Sequence, residues 1–295
     1  MWCVYTCDDA IHAYEKKPFT FVPMISFPNA KINLGLHVIG KRDDGYHNIE
    51  TVFYPIGWSD IMEILPGDEN TNGIEVHLSG LPVAGKHSDN LCVKAYELIR
   101  KDHAIRSVKL YLHKQIPMGA GLGGGSSDAA SFLLMMSELF SLNLQRDQLL
   151  NYAKRLGADC AFFVDGKTVF ACGKGDEFTP TAVVLNNYYI YVVHPGIHVS
   201  TADAYSNVVP ERSSVNIEKV LQEPIVKWKN SLVNDFEKSV FDKYPEIRIV
   251  KEKMYEAGAL YASMSGSGSA VYGIFKNDPG KLENFGSMNT WSGEL

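Results

Sequence analysis

Pro117-Met118-Gly119-Ala120-Gly121-Leu122-Gly123-Gly124-Gly125-Ser126-Ser127-Asp128-Ala129-Ala130 is the stretch on which the reading of this chain turns. It lies between a β-like run, Ser107 to Ile116, and an apolar helical run, Ala129 to Phe140. Glycines let a backbone approach a polyphosphate closely. The first amides of the helix that follows have no intrahelical partner and carry the positive end of its dipole. Residues 117 to 127 therefore read as an anion-binding loop, with Ser126 and Ser127 expected to cap the helix and offer hydroxyls to a phosphate. A flexible linker is the plainer alternative, but linkers are not usually followed at once by a capped apolar helix.

Gly119, Gly121 and Gly124 also satisfy the G-x-G-x-x-G dinucleotide pattern. That pattern needs a second parallel strand after the helix and an acidic residue about 20 residues on. Here a second helical pattern follows, Gln145 to Leu156, with Leu149, Leu150, Ala153 and Leu156 on one face, so the βαβ unit fails. The P-loop pattern fails too, because no Gly-Lys-Ser/Thr closes the loop.

The composition suits a globular chain: 295 residues, 45% hydrophobic and 21% charged. A formal net charge of −6 argues against a broad nucleic-acid footprint, so anions have to be held locally by backbone amides and a few lysines. The five cysteines (Cys3, Cys7, Cys92, Cys160 and Cys172) form no C-x-x-C pair and read as reduced thiols. No apolar run approaches the roughly 18 residues of a membrane span. No signal peptide opens the chain, so a cytoplasmic protein is expected. Residues 1 to 23 show no clean periodicity and read as an N-terminal extension, with Met24 the expected natural start.

From Ala30 to Val38 the apolar side chains alternate, leaving Lys31, Asn33, Gly35 and His37 on a polar face. Lys41-Arg42-Asp43-Asp44-Gly45 reads as a turn and His47 to Ile56 as the returning strand. Strands are expected at 60–65 and 73–78, then a helix over 90–103 capped by Ser88 or Asp89. Gly157 to Phe163 breaks the pattern. Strands resume at 167–172 and 187–194, and helices are expected at 201–208, 225–241 and 245–257. Strands at 259–263 and 270–275 bracket a second loop, Ser265-Gly266-Ser267-Gly268-Ser269, which reads as a buttress for the first. The pattern predicts an α+β protein, with domains at 24–185 and 186–295.

A lysine on a polar strand face, a phosphate loop in mid-chain and a late Gly-Ser loop, in this order, resemble the GHMP kinases. The resemblance is carried by Ala30-Lys31-Ile32-Asn33-Leu34, Arg42-Asp43-Asp44-Gly45-Tyr46-His47, the loop at 117–130, Gly157-Ala158-Asp159, His194-Pro195-Gly196, Asn234-Asp235-Phe236-Glu237 and Met264-Ser265-Gly266-Ser267-Gly268. It runs from about Ser26 to Phe275. It implies a two-lobe fold, with an N-terminal ribosomal-protein-like α+β lobe, a smaller C-terminal α+β lobe and the active site between them. The R-x-D-G-Y-H segment is the specific part. It points to the branch that moves the γ-phosphoryl of ATP onto the 2-hydroxyl of a cytidine diphosphate-linked polyol in the non-mevalonate isoprenoid pathway.

By this resemblance Pro117, Met118, Gly119, Ala120, Gly121, Leu122, Gly123, Gly124, Gly125, Ser126 and Ser127 hold the triphosphate, Asp159 is the base and Lys31 stabilises the transferring group. Read alone, Asp159 serves equally well as a helix or turn cap and Lys31 as a solvated strand lysine. Tyr46 and Tyr205 are expected to sandwich the cytosine, with His47 reading its edge. Asn33 either contacts the substrate or orders the strand beside Lys31. Mg²⁺ is expected with ATP, and Ser127 is a candidate ligand although none is assigned. Cys160-Ala161 stands where the family often has Val-Pro, which leaves the Asp159 loop less rigid. A homoserine or mevalonate type of GHMP kinase, and a non-catalytic nucleotide-binding member, are the competing readings.

Overall fold

In the computed structural model the described residues are 24–68, 72–206, 208–211 and 215–295. The expected N-terminal extension, with Cys3 and Cys7, lies outside them. The first strands are β1 (Met24–Ser26), β2 (Asn29–Lys41), β3 (His47–Ser59), β4 (Ile61–Pro66) and β5 (Ile74–Gly80). Helix α1 (Leu91–Asp102) and strand β6 (Val108–Lys114) lead to α2 (Gly124–Leu139), α3 (Arg146–Leu156) and α4 (Cys160–Asp165). Strands β7 (Val169–Cys172), β8 (Glu177–Pro180) and β9 (Tyr189–His194) follow. Helices α5 (Thr201–Tyr205), α6 (Ile217–Leu221), α7 (Ile225–Trp228), α8 (Phe236–Lys243) and α9 (Pro245–Glu256) precede β10 (Tyr261–Met264), β11 (Val271–Phe275) and β12 (Asn289–Glu294).

The strands form three four-stranded sheets, ordered β1-β4-β6-β5, β2-β3-β7-β8 and β10-β11-β9-β12. The parallel pair β5 and β6 brackets α1, so the βαβ unit precedes the glycine loop instead of following it. Every strand up to Pro180 lies in the first two sheets and every strand from Tyr189 in the third. The halves nonetheless share a core: Ile32, Leu34 and Trp58 pack in one cluster with Ile190, Trp228 and Tyr272. Trp58 also stacks on Trp291 of β12, with ring centroids 6.2 Å apart. Such an aromatic pair adds about 0.5–1.5 kcal/mol beyond its buried area.

Strand β2 alternates as expected but carries a bulge. Its pairing with β3 shifts between Leu34 and Leu36, where Gly35 takes a φ of 69° open to glycine at little cost. The consequence is a split apolar face. Ile32 and Leu34 enter the cluster just described, whereas Leu36 and Val38 enter another with Phe236, Val240 and Met264.

Several expectations are corrected. Helix α1 is capped by Asn90, whose side chain accepts from the Cys92 amide at 2.8 Å, and not by Ser88 or Asp89. The expected helix at 225–241 is two, α7 and α8, because residues 229–235 turn to meet β2 through Asp235 N to Leu36 O at 2.9 Å. Helix α4 was hidden behind Gly157. Strand β12 was hidden because its polar residues give no apolar alternation, yet it pairs with β9 along its full length.

Candidate active site

Between β6 and α2 the chain turns through Gly119, Gly121 and Gly123 with φ of 64°, 76° and 73°. These are left-handed values at which a side chain is strained. Three successive carbonyls of this turn point into the protein. The Ala270 amide donates to Ala120 O at 3.1 Å, and the Lys31 amide to Leu122 O at 2.9 Å. Gly121 O accepts from both the Ser265 hydroxyl, at 2.8 Å, and the Lys31 ammonium, at 3.0 Å. A methyl group on Gly121 would run into the Ser265 carbonyl. With those carbonyls turned inward, the amides of Gly124, Gly125 and Ser126, which α2 cannot satisfy, lie at the positive end of that helix, an arrangement suited to an anion.

The helix cap differs from expectation. Gly123, with no side chain to offer, occupies the N-cap, where the turn into the helix is left-handed and favours glycine. Ser126 and Ser127 therefore sit inside the first turn. Ser127 is buried, while Ser126 is half-buried at the loop.

Beside the loop, Lys31 is only 3% exposed. Its ammonium donates to Asn33 Oδ1 at 2.6 Å, lies 3.6 Å from Asp159 Oδ2 and stands 4.9 Å from the Phe53 ring centroid. Burial pulls its pKa below the ordinary lysine value, and the Asp159 carboxylate opposes that pull. Asp159 precedes α4 but makes no side-chain capping bond there. Its carboxylate, 36% exposed, is left facing Lys31 and solvent. Asn33 is used at both ends, since its amide nitrogen donates to Thr51 Oγ1 at 2.9 Å. That geometry orders Lys31.

The aromatic residues meet differently from a Tyr46–Tyr205 sandwich. The His47 ring stacks on Tyr205, with centroids 4.5 Å apart and planes at 21°. Tyr46 is 61% exposed, with the Lys174 ammonium 5.0 Å from its ring centroid. Phe236 meets Tyr205 edge-on at 4.6 Å. A base stacking on the Tyr205 face that His47 now covers would displace His47, which follows the hairpin tip at Gly45. Tyr205 also feels the Asp159 charge: burial first, and that carboxylate second, raise its phenol pKa.

One part of the site left no readable signal in the sequence. A cavity of about 380 Å³ opens beside the loop, lined among others by Leu78, Asn90, Lys114, Met118, Gly125 and Asp128. In its wall the buried Lys114 ammonium bonds Asp60 and, at 2.6 Å, Asp128, while Asp60 Oδ1 accepts the amides of Gln115 and Ile116. Among the described residues Asp128 Oδ1 has no hydrogen-bond partner. No spacing pattern joins Asp60, Lys114 and Asp128; only the packing of α2 on the sheet brings them together.

Burial pushes the Asp128 carboxyl up to about 7, with Lys114 opposing and the Asp60 charge adding to the rise. The unfolded chain loses this proton near 3.8, so between there and about 7 the folded state holds a proton that the unfolded state has lost. The contribution of this carboxyl to stability therefore falls as pH rises through that window. Asp128→Asn removes the effect, so the melting temperature of the variant relative to wild type is expected to climb between about pH 4 and pH 7. Paired thermal melts check this, and a constant difference across that range would contradict it.

A two-lobe α+β fold with a glycine loop between β6 and α2 and a facing Gly-Ser loop is that of a GHMP kinase. The descriptions "GHMP kinases N terminal domain" and "GHMP kinases C terminal" match residues 90–167 and 218–286. The chain is 50% identical over 257 residues to 4-diphosphocytidyl-2-C-methyl-D-erythritol kinase of Cytophaga hutchinsonii, covering 87% of this chain and 94% of that one. It is 49% identical to the same kinase of Bacteroides thetaiotaomicron over 86% of this chain and 92% of the relative. A crystal structure of 4-(cytidine 5'-diphospho)-2C-methyl-D-erythritol kinase superposes with a TM-score of 0.78 at 31% identity, covering 91% and 98% of the two chains. A homoserine kinase from C. hutchinsonii, at 15% identity and a TM-score of 0.62, shares the fold alone. The chain belongs to the 4-diphosphocytidyl-2-C-methyl-D-erythritol kinase family.

Proposed function

We propose that this chain transfers the γ-phosphoryl of ATP to the 2-hydroxyl of 4-diphosphocytidyl-2-C-methyl-D-erythritol, giving the 2-phosphate and ADP, in the methylerythritol phosphate route to isoprenoid precursors. The observation that carries this reading is the buried Lys31 ammonium placed between the Gly121 carbonyl and the Asp159 carboxylate, at 3.0 Å and 3.6 Å. Phosphoryl transfer asks for positioning and charge stabilisation more than for covalent help. The amides at the start of α2 hold the triphosphate, and the adjoining cavity with Asn90 and Met118 takes the nucleoside. Asp159 orients the acceptor hydroxyl and takes its proton as the oxygen attacks the γ-phosphorus. The bond from that phosphorus to the β-phosphate oxygen breaks, and ADP leaves. Lys31 stabilises the charge that gathers on the transferring group.

Mg²⁺ fits this arrangement. Among the described residues no three His, Cys, Asp or Glu side chains gather as a metal cage. A magnesium ion carried on phosphates needs only one or two protein oxygens. The Ser126 hydroxyl and the Asp159 carboxylate are the accessible candidates; Ser127 is too enclosed. The ion supplies neutralisation of the β- and γ-phosphate oxygens.

Tyr205 and Tyr46 hold the cytosine between them and His47 reads its edge once it has left the Tyr205 face. Among the described residues no helix is long and apolar enough to cross a membrane. The pocket makes a kinetic test. Tyr205→Ala should raise the KM for the cytidyl substrate by about tenfold, since one lost base stack is worth about 1–3 kcal/mol, and leave the KM for ATP near its original value. An unchanged KM for the cytidyl substrate would remove Tyr205 from recognition.

A further inference from the structure

Asn234-Asp235-Phe236 has no chemical role so far, yet three parts of the site meet on it. Asn234 is buried, and its amide donates at 2.8 Å to Met264 O and at 2.8 Å to Gly266 O. Those two carbonyls flank Ser265, whose hydroxyl donates to Gly121 O, so the amide of Asn234 sets the support of the phosphate loop. Its own oxygen accepts from the Phe236 amide at 3.0 Å, so both ends of the side-chain amide are engaged within the protein. Asp235 grips the strand that carries Lys31. Its Oδ2 accepts the Val38 amide at 2.8 Å, its Oδ1 lies 3.3 Å from His37 Nδ1, and its own amide donates to Leu36 O. Phe236 sets its ring at 73° to Tyr205, on the aromatic pair that His47 completes.

A motif that only holds the core together needs none of this division. Here each of three adjacent side chains reaches a different working element. We propose that Asn234 and Phe236 are positioning residues for phosphoryl transfer: Asn234 fixes the phosphate loop through Ser265, Phe236 fixes the ring of Tyr205, and Asp235 ties both to the Lys31 strand. The proposal rests on the reading of residues 117–127 as the ATP site and of Tyr205 as the base-stacking ring.

A packing role would lower the melting temperature and the folded fraction, but it would not change one substrate's KM and spare the other's. Asn234→Ala is therefore expected to raise the KM for ATP and lower kcat, each by about tenfold, with the KM for the cytidyl substrate unchanged. Phe236→Leu is expected to do the opposite, raising the KM for the cytidyl substrate alone. Because Asn234 and Ser265 act in one chain of bonds, the Asn234→Ala/Ser265→Ala double variant should be no worse than the more damaged single variant. Steady-state kinetics beside thermal melts make the comparison, with wild-type turnover on both substrates separating a failure of this proposal from a failure of the reading beneath it. Folded variants that shift both KM values equally, or neither, overturn it, as do additive losses in the double variant. Should Asn234→Ala not fold, Ser265→Ala carries the same ATP-selective expectation, and its absence is equally fatal.

Discussion

Asp159→Asn is expected to fold with a near-normal melting temperature and to lose about 10² to 10⁴ in kcat, the usual worth of a positioned base. The fold should survive because the carboxylate caps no helix and is partly open to solvent. The chemistry should not, because an amide cannot accept the hydroxyl proton. A second signature follows from Lys31. Burial lowers the pKa of that ammonium and the Asp159 charge props it up, so removing the charge lowers it further. The alkaline limb of the residual activity should therefore move to lower pH. Turnover near wild type would remove Asp159 from the mechanism.

Lys31→Met keeps much of the volume of the side chain and deletes its charge, and it is expected to cost about 10² to 10³ in kcat, the range for losing one electrostatic donor to the transition state. The loss should extend to ATP binding as well. The same ammonium donates to the Gly121 carbonyl, so without it that carbonyl keeps only the Ser265 hydroxyl. Methionine also leaves the Asn33 oxygen without its donor in a buried setting, and such an unsatisfied group costs about 1–3 kcal/mol of stability. Kinetics and a thermal melt on one preparation separate the two effects. A variant that melts early yet turns over normally would make Lys31 a purely structural residue.

Much of this was legible because local chemistry announced it. A glycine run before an apolar helix has few uses, and alternation placed Lys31 and Asn33 on one face of β2 without help from tertiary structure. The rest depended on distance in the chain. Asp60, Lys114 and Asp128 each look ordinary in their own segments and become a buried charge cluster only when β4, β6 and α2 pack together. The serines looked like helix caps because serine often is one, but a left-handed turn demanded glycine at that place. The expected tyrosine sandwich, implied by the family resemblance, could not foresee that His47 lies on the Tyr205 face. Strand β12 was invisible for the converse reason, being an edge held by backbone pairing and one Trp58–Trp291 contact and not by an apolar pattern.

The most direct measurement of the central claim is ADP release with magnesium and ATP, run in parallel on 4-diphosphocytidyl-2-C-methyl-D-erythritol, homoserine and mevalonate. Turnover confined to the cytidyl substrate is the expected result, and it would make Tyr46, His47 and Tyr205 the next residues to vary. Turnover with homoserine or mevalonate, or silence with all three, would contradict it.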